Sequence, residues 1–150
     1  MISIKKLNEL TQKEIIEINN LISICFATNR LKTYNIIIYY KNIIDDNIIG
    51  FIGLQNNKYK YINKDIIILN QLCVKYEYRN RGIATYILNF LKNIYENIIY
   101  ILYIDKNKNN TKILYNFYIK NGFQEINNKI LKKININYDK KIEYLMINNN

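Results

Sequence analysis

Between Leu72 and Thr85 the chain reads LCVKYEYRNRGIAT, and this segment gathers residue types that are scarce everywhere else. Val74 is the only valine, Ala84 one of two alanines, Gly82 one of four glycines, and Arg79 and Arg81 two of three arginines. Elsewhere Ile, Asn, Lys and Tyr dominate, a bias we read as drift in a base-biased genome. Rare types concentrated against such a drift do something the common types cannot. The pattern is a strand that ends, an arginine-rich turn, and a helix that starts at glycine. The first amides of a helix have no intrahelical partners and carry partial positive charge, which makes an anion site. Gly82 lets the backbone come close to a phosphate, and small Ala84 keeps that approach open. Arg79 and Arg81 add charge suited to a diphosphate. From these residues alone an ordinary strand-to-helix turn with solvated arginines remains an equal alternative.

Other chemistries find little support. The chain has no histidine, so imidazole-based nucleophilic catalysis and imidazole metal sites lack their residues, and no metal is expected. Neither G-x-x-x-x-G-K-[ST] nor G-x-G-x-x-G occurs, which argues against a P-loop or a dinucleotide-binding domain. A net charge of +10 would ordinarily suggest nucleic acid. The lysines are scattered, however, as at Lys5, Lys6, Lys58, Lys60, Lys132 and Lys133, and no run of five or six like charges forms. No specific nucleic-acid partner is expected. Cys25 and Cys73 lie in apolar surroundings without a disulfide framework or a C-x-x-C motif, so buried, reduced thiols in a cytoplasmic protein are expected. No apolar stretch reaches the ~20 residues of a membrane helix, and no signal-peptide core is present, so no membrane partner is expected.

The elements that must position the segment follow from periodicity. Ile2 to Leu7 alternate as a strand does. Thr11 and Glu14 form a T-x-x-E capping box ahead of Ile15, Ile18 and Ile22, which predicts a helix from Thr11 towards Ile24. A second short helix is considered within Cys25 to Thr33. Runs from Tyr34 to Ile44 and Ile48 to Gln55, with Asp45, Asp46 and Asn47 between them, predict a hairpin. A polar stretch, NNKYKYINKD, leads to a strand over Ile66 to Val74. From Gly82 a helix follows with Ile83, Ile87, Phe90, Leu91 and Ile94 on one face. The run IIYILYI from Ile98 predicts a strand buried on both faces. A helix over Thr111 to Asn121, stopped by Gly122, precedes a strand over Phe123 to Ile126. Asn127 to Lys141 is expected as a polar connection, and Ile142 to Ile147 as a closing strand. The crossover between Ile66 and Ile104 should be parallel and the hairpins antiparallel, so the class is α/β with a mixed sheet.

The chemical segment now resembles a known family. R-N-R-G-I-A, Arg79 to Ala84, is similar to the [Q/R]-x-x-G-x-[G/A] diphosphate loop of GNAT N-acetyltransferases. L-C-V, Leu72 to Val74, resembles the L-x-V of the preceding strand, and FYIKNGF, Phe117 to Phe123, resembles the family's L-Y-x-K-x-G-F. Tyrosine fills 15 of 150 positions, so Tyr118 alone would match easily; glycine fills 4 and phenylalanine 5, so Gly122–Phe123 at the right distance is harder to match by chance. The element order agrees from end to end. The resemblance implies a single domain over residues 1–150, with a mixed twisted sheet of about six to seven strands flanked by three to four helices.

By that resemblance the cosubstrate is acetyl-CoA and the acceptor an amine. Backbone groups of Leu72, Cys73 and Val74 would pair with the pantetheine arm, with the Val74 amide near the thioester carbonyl. Arg79 and the amides of Asn80, Arg81, Gly82, Ile83, Ala84 and Thr85 would hold the diphosphate. Tyr118 would be the general acid that protonates the departing thiolate. The chain departs from the family pattern at three places. Thr111 stands where many members carry an Asn that touches CoA, and it could instead cap its helix. Lys106 stands where some carry a Glu general base, which leaves neighbouring Asp105 as the candidate base, with a water chain as the alternative. Tyr76 stands where a proline is common. The acceptor would be contacted by about Ile18 to Thr33 and Asn127 to Lys141, and protein N-termini, lysine side chains, polyamines and small amines all fit. A non-catalytic acyl-CoA-binding domain and a basic nucleic-acid-binding protein on the same fold are the competing readings.

Overall fold

The computed structural model describes residues 1–61, 64–95, 97–134, 136 and 138–149. Ile62 and Asn63 of the expected polar stretch, and Asn135 and Asn137 of the expected polar connection, lie outside the described residues. Among the described residues seven strands and four α-helices form. In chain order they are β1 (Ile2–Lys6), α1 (Gln12–Cys25), β2 (Ile36–Lys41), β3 (Ile48–Tyr61), β4 (Lys64–Val74) and α2 (Ile83–Ile94). Then come β5 (Ile98–Asp105), α3 (Thr111–Lys120), β6 (Gln124–Glu125), α4 (Asn128–Ile134) and β7 (Glu143–Asn149). The strands hydrogen-bond in the order β1-β2-β3-β4-β5-β7-β6. This is the mixed α/β sheet that the sequence implies.

The chain divides into two compact units, Met1–Gln55 with Leu69–Ile94, and Asn56–Ile68 with Tyr95–Asn150. In the first unit β2 pairs antiparallel with both β1 and β3. The capping box forms as expected. The Thr11 hydroxyl accepts from the Glu14 amide at 3.2 Å, and a Glu14 carboxylate oxygen accepts from the Thr11 amide at 2.9 Å. A cap of this kind stabilises a helix by about 1 kcal/mol. Ile18, Leu21 and Ile22 then fall on one face of α1 and join Ile37, Tyr39, Ile48 and Phe51 in a continuous core. On α2 the expected face is buried at Ile87 and Leu91 and partly buried at Ile83 and Phe90, but Ile94 at the helix end is exposed and Leu88 is buried in addition. The segment considered for a second helix holds only a 3-10 turn, Leu31–Thr33.

In the second unit β5 is buried along nearly its whole length, in keeping with its unbroken apolar run. It pairs parallel with Asp65 to Ile68 of β4 and antiparallel with β7. Ile66, Ile99, Ile101, Leu145 and Ile147 form this unit's core with Ile126 and Ile134. The expected connection between Asn127 and Lys141 contains α4. Asn127 caps it by accepting from the Ile130 amide at 2.9 Å, and Ile134 is 1% exposed. Lysines and asparagines fill the solvent-facing positions of this short helix and hide its apolar face.

The expectation of reduced thiols is overturned. Cys25 and Cys73 are joined in a disulfide, with their Cα atoms 6.2 Å apart. The end of α1 lies against the end of β4, a proximity that a separation of 48 residues does not disclose. Among the described residues no helix is long and apolar enough to cross a membrane.

Candidate functional site

The arginine-rich segment lies wholly in the first unit. β4 ends at Val74, a 3-10 turn spans Tyr76–Tyr78, and α2 begins at Ile83. Asn80 and Gly82 have φ of 59° and 78°, and these two left-handed residues turn the chain into the helix. Glycine adopts such a φ without strain, whereas a β-branched residue does not. A Cβ built on Gly82 would meet nothing within 4 Å, so the backbone is open to an incoming group at the helix start. The Gly82 carbonyl accepts from the Tyr86 amide at 2.8 Å and so begins the helical ladder. The amides that follow it occupy the first turn, where a helix has no internal acceptors for them.

Both arginines are held on tyrosine faces. The Arg79 guanidinium lies 5.5 Å from the Tyr76 ring centre and that of Arg81 5.4 Å from Tyr78. The Arg79 Nε donates to the Val74 carbonyl at 2.9 Å, which ties the turn back onto β4. Tyr78 is itself fixed, its phenol oxygen accepting from the Asn42 amide group at 3.2 Å. Such stacking lowers the entropy each arginine loses on meeting a phosphate. Gly50 on β3 allows a close approach of another kind. A Cβ there would come within 3.2 Å of the Cys73 carbonyl oxygen and 3.3 Å of a Val74 methyl. Tyr76, Tyr78, Asn42 and Gly50 are the positioning residues that sequence reasoning missed. No local spacing marks them, because Asn42 and Tyr78 stand 36 residues apart.

Leu72, Cys73, Val74, Arg79, Asn80, Arg81, Gly82, Ile83, Ala84 and Thr85 therefore come together in one unit. Asp105, Thr111 and Tyr118 belong to the other. Tyr118 sits on α3 with 8% exposure, its ring edge-on to Phe117 at 5.1 Å and to Phe123 at 5.4 Å. Burial pushes its phenol well above the ordinary tyrosine range, so the group stays protonated at neutral and moderately basic pH. The expected stop of α3 is present, with Gly122 at a φ of 85°.

Asp105 ends β5, and its carboxylate accepts from the Asn107 amide at 2.8 Å, closing a tight turn. Thr111 does not cap α3, because the capping position is Asn110. The Thr111 hydroxyl instead lies 2.6 Å from both the Asp105 and the Lys108 carbonyl oxygens, joining the strand end to the helix start. Lys106 is held by two neighbours. Its ammonium donates to the Lys140 carbonyl and sits 4.4 Å from the Tyr144 ring centre. A cleft of about 200 Å³ opens beside it, with Glu125, Glu143, Tyr138 and Tyr144 among its walls.

Comparison with known proteins bears on this geometry. A family model described as an acetyltransferase (GNAT) domain matches residues 32–125. No curated protein matches the chain by sequence. Among solved structures, Arabidopsis thaliana Naa50 in complex with the bisubstrate analogue CoA-Ac-MVNAL superposes with a TM-score of 0.66, at 18% identity over 99% of each chain. An aminoglycoside 6'-N-acetyltransferase complexed with coenzyme A gives a TM-score of 0.72, at 15% identity over 99% of this chain and 96% of that one. An acetyltransferase of the GNAT family from Staphylococcus aureus gives 0.67, at 20% identity over 99% of each chain.

Proposed function

The chain belongs to the GNAT acetyltransferase family, and from that premise we propose that it transfers the acetyl group of acetyl-CoA to a primary amine. Residues 1–150 act as one N-acetyltransferase domain, and the amine attacks the thioester directly in a ternary complex. The observation that carries the reading is the open helix start at Gly82 flanked by two tyrosine-backed arginines. Backbone amides and guanidinium groups in that arrangement suit a diphosphate. Backbone groups of Leu72 to Val74 take the pantetheine arm, and the Val74 amide stabilises the charge that develops on the thioester oxygen.

Tyr118 supplies the proton that the CoA thiolate takes as it leaves. A thiol ordinarily titrates near ~8.5, below the raised phenol, so transfer in water would run uphill. Dry surroundings raise a thiol as they raise a phenol, which brings the two closer together. The proton of the incoming ammonium goes to Asp105 or through a water chain, because the Lys106 side chain is engaged with the Lys140 carbonyl and the Tyr144 ring. The acceptor approaches the connection between β6 and β7, where Glu125 and Glu143 attract an ammonium group.

The test is CoA release and acetyl incorporation with a panel of amines and peptide N-termini. Turnover of at least one amine class is expected. Tight acetyl-CoA binding without turnover of any amine would leave a non-catalytic acyl-CoA-binding domain.

A further inference from the structure

The disulfide and the diphosphate loop meet at one side chain. The Arg79 Nη2 lies 3.6 Å from Cys25 Sγ, while the Nε of the same guanidinium holds the Val74 carbonyl. Cys25 is half-buried and open to a small reagent, whereas Cys73 is 3% exposed. Each sulfur also has a neighbour that suits its reduced form. Cys73 Sγ lies 3.6 Å from the Leu21 carbonyl oxygen, an acceptor for a thiol S–H that a disulfide does not have. A Cys25 thiolate would face the Arg79 guanidinium, and a neighbouring cation favours a thiolate. Each sulfur therefore has a polar neighbour for its reduced form once the two thiols move apart to van der Waals contact.

We propose that Cys25–Cys73 is a reversible thiol–disulfide site that controls acetyl-CoA binding through Arg79. The inference rests on the reading of Arg79 as a diphosphate ligand. In the oxidised pair Cys25 carries no charge, and Arg79 is available to the diphosphate. In the reduced pair the Cys25 thiolate competes for the same guanidinium, and cosubstrate binding weakens. Linkage makes the effect reciprocal, so bound acetyl-CoA favours the disulfide. In a reducing compartment such bonds are transient and redox-sensing, which is how this pair fits a cytoplasmic protein.

The chemistry balances with a dithiol as reductant. One donor thiolate bonds to Cys25 Sγ, the Cys25–Cys73 bond breaks, and Cys73 leaves with the electron pair and takes a proton. The donor's second thiolate then displaces Cys25 and closes the donor's own disulfide. Two electrons pass to the protein, and Cys25 keeps its negative charge beside Arg79 or takes a proton.

The experiment titrates acetyl-CoA by calorimetry into the full chain, oxidised or reduced with a phosphine. Thiol alkylation and mass give the redox state, and circular dichroism checks the fold. Reduction is expected to weaken binding by about fivefold, the low end for coupled sites, because Arg79 is solvent-exposed. Two variants lack the disulfide and separate its causes. Cys25→Ser has no thiolate and should bind as tightly as the oxidised protein, with or without reductant. Cys73→Ala keeps the Cys25 thiol and should bind weakly in both conditions. Equal affinity of oxidised and reduced protein would overturn the inference and leave the acetyl-CoA reading intact. A redox response that persists in Cys25→Ser, or equal affinities of the two variants, would also overturn it. No acetyl-CoA binding in either state would remove the functional reading and this inference together.

Discussion

Replacing Tyr118 with phenylalanine removes one oxygen and keeps the ring against Phe117 and Phe123. Packing and acetyl-CoA affinity should therefore hardly change. If the phenol donates the proton, kcat should fall roughly 10²-fold, the lower end for general acid catalysis. KM for acetyl-CoA should stay nearly constant, because the lost interaction belongs to the transition state. Full kcat in the variant, with chemistry shown to limit the rate, would make Tyr118 a packing residue. The pH dependence sharpens the test. Burial raises the phenol above its ordinary 10.0, so its donor form survives past that pH. Any basic limb seen below pH 10 should persist unchanged in the phenylalanine variant. At Gly82 the φ of 78° and the open space around a Cβ give a second residue-scale expectation. Gly82→Val places methyl groups where the diphosphate approaches and strains the backbone, and should weaken acetyl-CoA binding at least tenfold, ~1.4 kcal/mol. Gly82→Ala adds the strain with less bulk and should fall between. Calorimetry on folded variants reads both.

The docking of α1 on β1 and β2 turns on one buried carboxylate. Glu14, 4% exposed, accepts from the Tyr39 hydroxyl at 2.6 Å, from the Lys5 ammonium at 2.9 Å and from the Thr11 amide at 2.9 Å. Burial by itself would raise its pKa, but these hydrogen bonds outweigh it and hold the carboxyl down at about 2, against an ordinary 4.5. A lowered folded pKa means stability present above pH 4.5 and lost as pH falls from there towards 2. The full loss is on the order of 3 kcal/mol. Urea midpoints at pH 5 and pH 3 should differ clearly in the wild type and much less in Glu14→Gln. An equal acid sensitivity in both proteins would place the linkage elsewhere. The T-x-x-E spacing announced the cap of this helix, whereas the bonds to Lys5 and Tyr39 depend on how α1 lies across two strands. The extended β3 was half-legible in the same way. Its Asn- and Lys-rich end suggests a loop, yet K-Y-K-Y alternates with the period of a strand.

At the scale of the whole chain the net charge of +10 invites a nucleic-acid role. Lysines dispersed among acidic residues give attraction without a reading surface. Anisotropy with DNA and RNA duplexes should show only weak, sequence-indifferent binding that disappears at moderate salt. Sequence-selective binding that persists at physiological salt would contradict this and restore the basic-protein reading.

The amino-acid sequence by itself determined the order of the strands and of the first three α-helices, the mixed α/β sheet and the turn from strand to helix over Arg79 to Thr85. Each of these is written in local spacing, because capping boxes, hydrophobic periods and a glycine between strand and helix act over a few neighbouring residues. Only the tertiary structure decided that Cys25 and Cys73 are bonded, that Arg79 touches Cys25, and that Asn42 holds Tyr78 beneath Arg81. Those contacts join residues 36 to 54 positions apart. They exist because strand pairing and the packing of α1 bring distant segments together, and no pattern within either segment records which partner it will meet.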